Sequence, residues 1–122
     1  MIKLMTKEFS KWSGKQKLAD NALGNALNEV IDGFFEANLG GNLYKKRIAF
    51  QGRGKSGSGR TIICLKRGEM AVYLYGFGKN EKDSLSPKEL KAFKTFAKVL
   101  LNLTNEQIQT AINNGDLTEV IL

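Results

Sequence analysis

Two apolar runs, Arg60-Thr61-Ile62-Ile63-Cys64-Leu65-Lys66 and Met70-Ala71-Val72-Tyr73-Leu74-Tyr75-Gly76-Phe77, are separated only by Arg67-Gly68-Glu69. Runs this rich in β-branched and aromatic residues read as strands, and a connection this short joins only antiparallel neighbours. The pair therefore predicts a hairpin at the centre of a sheet. Upstream, Tyr44-Lys45-Lys46-Arg47-Ile48-Ala49-Phe50 alternates with a period of two. Tyr44, Lys46, Ile48 and Phe50 fall on one face, and Lys45, Arg47 and Ala49 on the other, so Lys45 and Arg47 project together. Residues 51–59 carry glycines at 52, 54, 57 and 59, which disfavours any regular element there and predicts a connection between strands.

Helices flank this β-rich middle. Leu23, Leu27, Val30, Ile31 and Phe34 follow i, i+4, i+7, i+8, i+11 spacing, one apolar stripe on a helix that begins near Lys17 and ends before Gly40-Gly41. Ser86-Pro87-Lys88-Glu89 is a helix start: an N-cap serine, proline at the first helical position and glutamate three residues after the cap. That helix buries Leu90, Phe93, Phe96, Ala97, Leu100 and Leu101. Thr104-Asn105-Glu106-Gln107 opens a shorter one, with Ile108, Ala111 and Ile112 inward and Asn114-Gly115 as its stop. Residues 4–12 predict a first strand ending at Ser13-Gly14, and residues 117–122 an edge strand or tail. The expected fold is α+β, a small antiparallel sheet of three to five strands packed against N-terminal and C-terminal helices. One domain over residues 1–122 is expected, in line with the length of the chain. No stretch reaches the roughly eighteen consecutive apolar residues of a membrane span, and the N-terminus lacks a signal-peptide pattern, so a cytoplasmic, non-membrane protein is expected.

The formal net charge of +7 is concentrated. Between Leu43 and Arg67 stand eight basic residues (Lys45, Lys46, Arg47, Arg53, Lys55, Arg60, Lys66, Arg67) and no acidic one, leaving eleven basic and twelve acidic residues elsewhere. Single-sign charge on neighbouring strands attracts phosphates. The chain has no histidine, which excludes serine–histidine triads, histidine-paired ribonuclease chemistry and HExxH zinc sites. The lone Cys64 sits in an apolar run and reads as a small buried side chain. Gly52-Arg53-Gly54-Lys55-Ser56-Gly57 has G-x-G-x-x-G spacing, but a strand follows it where a dinucleotide fold needs a helix. A P-loop would need glycine at position 49, which is Ala49. No cofactor and no metal site is expected. What remains is a backbone able to wrap a phosphodiester beside Arg53, Lys55 and Arg60. Tyr73, Tyr75 and Phe77 share a face in strict alternation, with the two tyrosines assigned to core and Phe77 placed to reach ligand. Aromatic rings among cations suit single-stranded RNA, whose bases stack on them.

Lys45-Lys46-Arg47, Gly54 to Gly57, Arg60-Thr61 and Tyr75-Gly76-Phe77-Gly78-Lys79-Asn80-Glu81, taken in that order, resemble the RelE/ParE superfamily of toxins from bacterial toxin-antitoxin modules, closest to its RelE/HigB-like branch. The resemblance covers roughly residues 20–120. It implies a ribosome-dependent mRNA endonuclease that works without histidine, by attack of an RNA 2′-hydroxyl on the adjacent phosphorus. It also implies site residues: Lys45, Arg47, Arg60 and Lys79 in catalysis, with Lys46, Arg53, Lys55, Phe77 and Asn80 holding RNA. The implied partners are a small antitoxin with a helix-turn-helix, the ribosome and mRNA. Asn80 stands where well-studied RelE toxins carry arginine, and no tyrosine follows Tyr75. The alternative functions are a ParE-like DNA gyrase inhibitor and a non-catalytic RNA-binding module.

Overall fold

The expected hairpin lies in the middle of the sheet. The computed structural model describes residues 1–50 and 57–121. In chain order it contains β1 (Ile2–Thr6), α1 (Lys7–Lys15), α2 (Asp20–Ile31), β2 (Ala37–Gly40), β3 (Leu43–Ala49), β4 (Ser58–Lys66), β5 (Met70–Gly78), α3 (Pro87–Leu101), α4 (Asn105–Asn113) and β6 (Leu117–Glu119). The strands form one sheet in the order β2-β3-β4-β5-β1-β6. It has six strands and is mixed, larger than the three to five antiparallel strands expected, because β1 runs parallel to β5 and β2 adds an edge. β2 is four residues long, too short to announce itself by alternation.

Both faces of the sheet are covered, which explains why β4 and β5 read as near-continuous apolar runs. On one face Phe9 of α1 and Leu23, Leu27 and Val30 of α2 pack on Ile63, Leu65 and Tyr73. On the other, Ala97 and Leu100 of α3 and Ile108 of α4 pack on Leu4, Ile62, Cys64, Val72 and Phe77. Tyr73 ties the first layer together. Its ring stacks on Phe9 with centroids 4.3 Å apart, worth about 0.5–1.5 kcal/mol beyond burial, and its hydroxyl donates to the Leu23 carbonyl at 2.7 Å.

Three boundaries differ from the sequence expectation, each for a local reason. The strand expected over residues 4–12 stops at Thr6, whose side chain accepts from the Phe9 amide at 3.1 Å and caps α1. Phe9 and Trp12 are then a helical i, i+3 pair. α2 ends at Asp32, with Gly33 left-handed at φ 97°, well before Gly40-Gly41, which instead turn β2 into β3. On β5, Leu74 falls between the pairs Ile62↔Tyr75 and Ile63↔Tyr73. This bulge breaks the strict alternation, so Tyr73 faces α1 and α2 while Tyr75 and Phe77 face α3. The Thr6 hydroxyl donates to the Leu74 carbonyl at 3.2 Å, serving a group the bulge shifts out of register. The start of α3 matches expectation, with the full Ser86–Glu89 capping box, and α4 has its own between Thr104 and Gln107. Phe96 does not match: it is 41% exposed and lines an open hollow with Leu74 and Phe93.

The Trp12 ring lies directly over Gly76. A Cβ there would come within 2.3 Å of the indole, so glycine is required for this close approach. Gly76→Ala is expected to destabilise the fold by about 1–3 kcal/mol in urea unfolding. Gly78→Ala, whose new methyl would meet nothing nearer than Glu81 Oε1 at 3.4 Å, should stay within about 0.5 kcal/mol of wild type.

Candidate nucleic-acid interface

The register of β3 on β4 pairs Arg47 with Arg60, Lys46 with Thr61 and Lys45 with Ile62. Directly opposed residues share a face, so Arg60 joins Lys45 and Arg47, which the period of two places together, on one side of the sheet near one end. β2 pairs with β3 only as far as Lys45. Beyond that point residues 34–36 cross the margin of β3, and Phe34, Phe35, Glu36, Lys46, Arg47 and Arg60 line a shallow hollow.

The side chains of the basic segment are mostly engaged. Arg60 Nε pairs with Glu36 Oε2 at 2.7 Å and its side chain is only 11% exposed. Lys46 Nζ donates to the Phe34 carbonyl at 3.1 Å and pairs with Glu29 at 3.5 Å, while Arg67 donates to the Ile31 carbonyl at 3.2 Å. Lys46 therefore ties Glu29 of the last turns of α2 to the segment that follows, while Arg67 serves the C-terminal end of α2, where carbonyls lack helical partners and the dipole favours cations. Lys66 does the same for α3, donating to the Leu101 carbonyl at 3.0 Å, and also pairs with Glu69. Lys45 donates to the Asp83 carbonyl at 2.7 Å. Arg47 is exposed and bonds to no described residue. Arg53 and Lys55 lie outside the described residues. Lys79 and Asn80, exposed at the end of β5, border a second hollow with Gln16, Phe50, Ser58 and Glu81. The structure thus brings Lys45, Arg47 and Arg60 together on one side of the sheet and sets Lys79 in a separate hollow.

A family model for the RelE toxin of the RelE/RelB toxin-antitoxin system matches residues 2–120. The chain belongs to this RelE toxin family. It is the toxin of a toxin-antitoxin module, and an antitoxin is its partner. No curated protein matches the chain.

Phe77 of this RelE toxin corrects the sequence expectation. Its ring is fully buried against the α3 layer and has no surface left on which a base could stack, because helices cover both faces of the sheet; the bulge at Leu74 decides only which layer it joins. Above it sits a cation the sequence reading missed: Lys82 Nζ lies 5.3 Å from the Phe77 centroid and 5.0 Å from that of Tyr75. Lys82 also pairs with Glu89 at 2.5 Å, the same glutamate that accepts from the Ser86 amide in the capping box. One carboxylate thus holds both the start of α3 and the loop leading to it, a link between residues seven apart that no local pattern reveals. Cys64 is buried as expected, and burial pushes its thiol up to about 11, leaving it protonated and inert near neutral pH. Among the described residues no group of three or more His, Cys, Asp or Glu side chains could hold a metal ion, and no helix is long and apolar enough to cross a membrane.

The hydrogen bond from Lys82 lowers the Glu89 carboxyl below its ordinary 4.5. Its contribution to stability is therefore complete above that value and fades as pH falls through the lowered folded-state value. Glu89→Gln keeps the oxygen that caps Ser86 and loses the charge. Its melting temperature should fall below wild type at pH 7, and the difference should narrow as the pH falls below the ordinary carboxyl value. A gap that persists at pH 2 would assign the loss to the cap.

Proposed function

We propose that this toxin cleaves mRNA on the ribosome, by attack of an RNA 2′-hydroxyl on the adjacent phosphorus. The observation that carries this reading is the facing pair Arg47 and Arg60 with Lys45 two residues away on the same side of the sheet. Two guanidinium groups at facing positions suit a phosphodiester, since each can bind two of its oxygens, and they stabilise the charge that builds on the phosphoryl oxygens in the transition state. Arginine does not give up its proton, so of Lys45 and Arg47 only Lys45, in its neutral form, can take the proton from the 2′-hydroxyl. The 2′-oxygen bonds to phosphorus and the P–O5′ bond breaks, leaving a 2′,3′-cyclic phosphate. Lys79, two residues beyond Phe77, the partner of Arg60 across the strands, protonates the departing O5′. Arg53, Lys55 and Asn80 hold flanking backbone, while Lys46 keeps the wall of the site in place through α2.

Dependence on the ribosome is supported by how few cations remain uncommitted. A patch in which Arg60, Lys46 and Lys45 already have partners grips free RNA weakly, because affinity rises with the number of phosphates neutralised. A machine that presents mRNA in a fixed geometry supplies the positioning instead. The toxin then acts in the cytoplasm as one domain, and its antitoxin, with a helix-turn-helix, covers the basic face.

Inducing the toxin in growing cells and mapping RNA ends by primer extension tests this reading, and new 5′ ends within translated codons are expected. Arg47→Ala should slow cleavage on the order of 100-fold with an unchanged melting temperature. The triple variant Lys45→Ala, Arg47→Ala, Arg60→Ala should be non-toxic. A stably folded triple variant that is still toxic would sink the site, and DNA damage with intact mRNA would move the target to gyrase.

A further inference from the structure

The end of α2 holds an aromatic ring in an unusual position. Gly33 donates to the Val30 carbonyl at 3.0 Å and Phe34 to the Glu29 carbonyl at 2.8 Å, the two bonds of a Schellman motif around a left-handed Gly33. The residue in Phe34's place commonly folds back onto the last turn of the helix. Here the residue it would meet is Glu29, and the Phe34 ring is 67% exposed, the highest exposure among the described aromatic residues. Phe35 takes the packing role instead, against Tyr44 at 4.7 Å. The Phe34 backbone is fixed further by the bond from Lys46 to its carbonyl. The ring therefore stands on a rigid support, outside the core, and on the same hollow as Arg47 and Arg60.

We infer that Phe34 is the stacking platform for an unpaired RNA base, belonging to a nucleotide next to the phosphate held at Arg47 and Arg60. This rests on the RNA-cleaving reading above and extends it to a base-binding subsite. Cations and an exposed ring lining one hollow match the two halves of a nucleotide, its phosphate and its base. A buried peptide side chain would find guanidinium groups a poor lining. Stacking uses the π-face common to all bases, so the subsite adds grip and orientation with little sequence preference. The signal in the sequence was Asp32-Gly33 before Phe34: a helix that stops at Gly33 cannot carry Phe34 on its buried stripe.

The test is binding of a short 2′-O-methyl RNA, which cannot be cleaved, to the full-length toxin alone and with ribosomes programmed with that RNA. 2-Aminopurine is placed at successive positions. At one position its fluorescence should be quenched by wild type and not by Phe34→Ala. Phe34→Ala should bind about ten-fold or more weakly, Phe34→Trp should restore binding, and RNA abasic at that position should bind wild type and Phe34→Ala equally. Equal affinity of wild type and Phe34→Ala for intact RNA would overturn the stacking role and leave the RNA reading standing. A wild type that binds neither free nor ribosome-bound RNA would overturn both. Weakened antitoxin binding by Phe34→Ala with RNA binding intact would assign the ring to a protein contact and overturn the subsite.

Discussion

The sheet of this RelE toxin is buried on both sides, so cations carried by its strands can end only at helix termini or at the sheet's margin. That constraint sorts the basic segment. Arg67 reaches the C-terminal end of α2, and Lys66 that of α3, where unpaired carbonyls and the helix dipole both favour positive charge; Lys46 pairs with Glu29 of α2 and with the carbonyl of Phe34 just after it. The two layers are thus fastened to the sheet by the same residues that give the chain its high pI. What is left for a ligand is a small group on β3 and β4, beyond the reach of β2.

This sorting separates what the basic segment does for the fold from what it offers a polyanion. Counted along the chain, eight cations without an acid promise a broad phosphate-binding surface. Folded, the acids arrive from elsewhere: Glu29 from α2 and Glu36 from the segment after it. Net charge along a sequence describes a patch only when the partners that the fold brings in have been subtracted.

Short-range signals were legible and long-range ones were not. The capping boxes at Ser86 and Thr104 depend on residues three apart, and both form. The facing of Lys45 and Arg47 follows from the pleat alone. The bulge at Leu74 depends on how β4 and β5 pair, so the strict alternation assigned to Tyr73, Tyr75 and Phe77 failed there, and helix layers on both faces of the sheet made Phe77 core instead of a candidate contact. Phe34 failed in the opposite direction. Its apolarity continued the stripe of α2, yet Gly33 had already ended the helix, and hydrophobic character by itself does not establish burial. The same holds for Phe96 on α3.

The contact between Arg60 and Glu36 gives the resting protein a built-in counter-ion. Any anion that binds Arg60 must first displace a carboxylate tethered to the same molecule. The displacement lowers affinity, while the salt dependence still follows the number of phosphates neutralised. Glu36 also makes the site selective in a simple way: weakly held anions cannot displace a carboxylate that is attached to the same molecule.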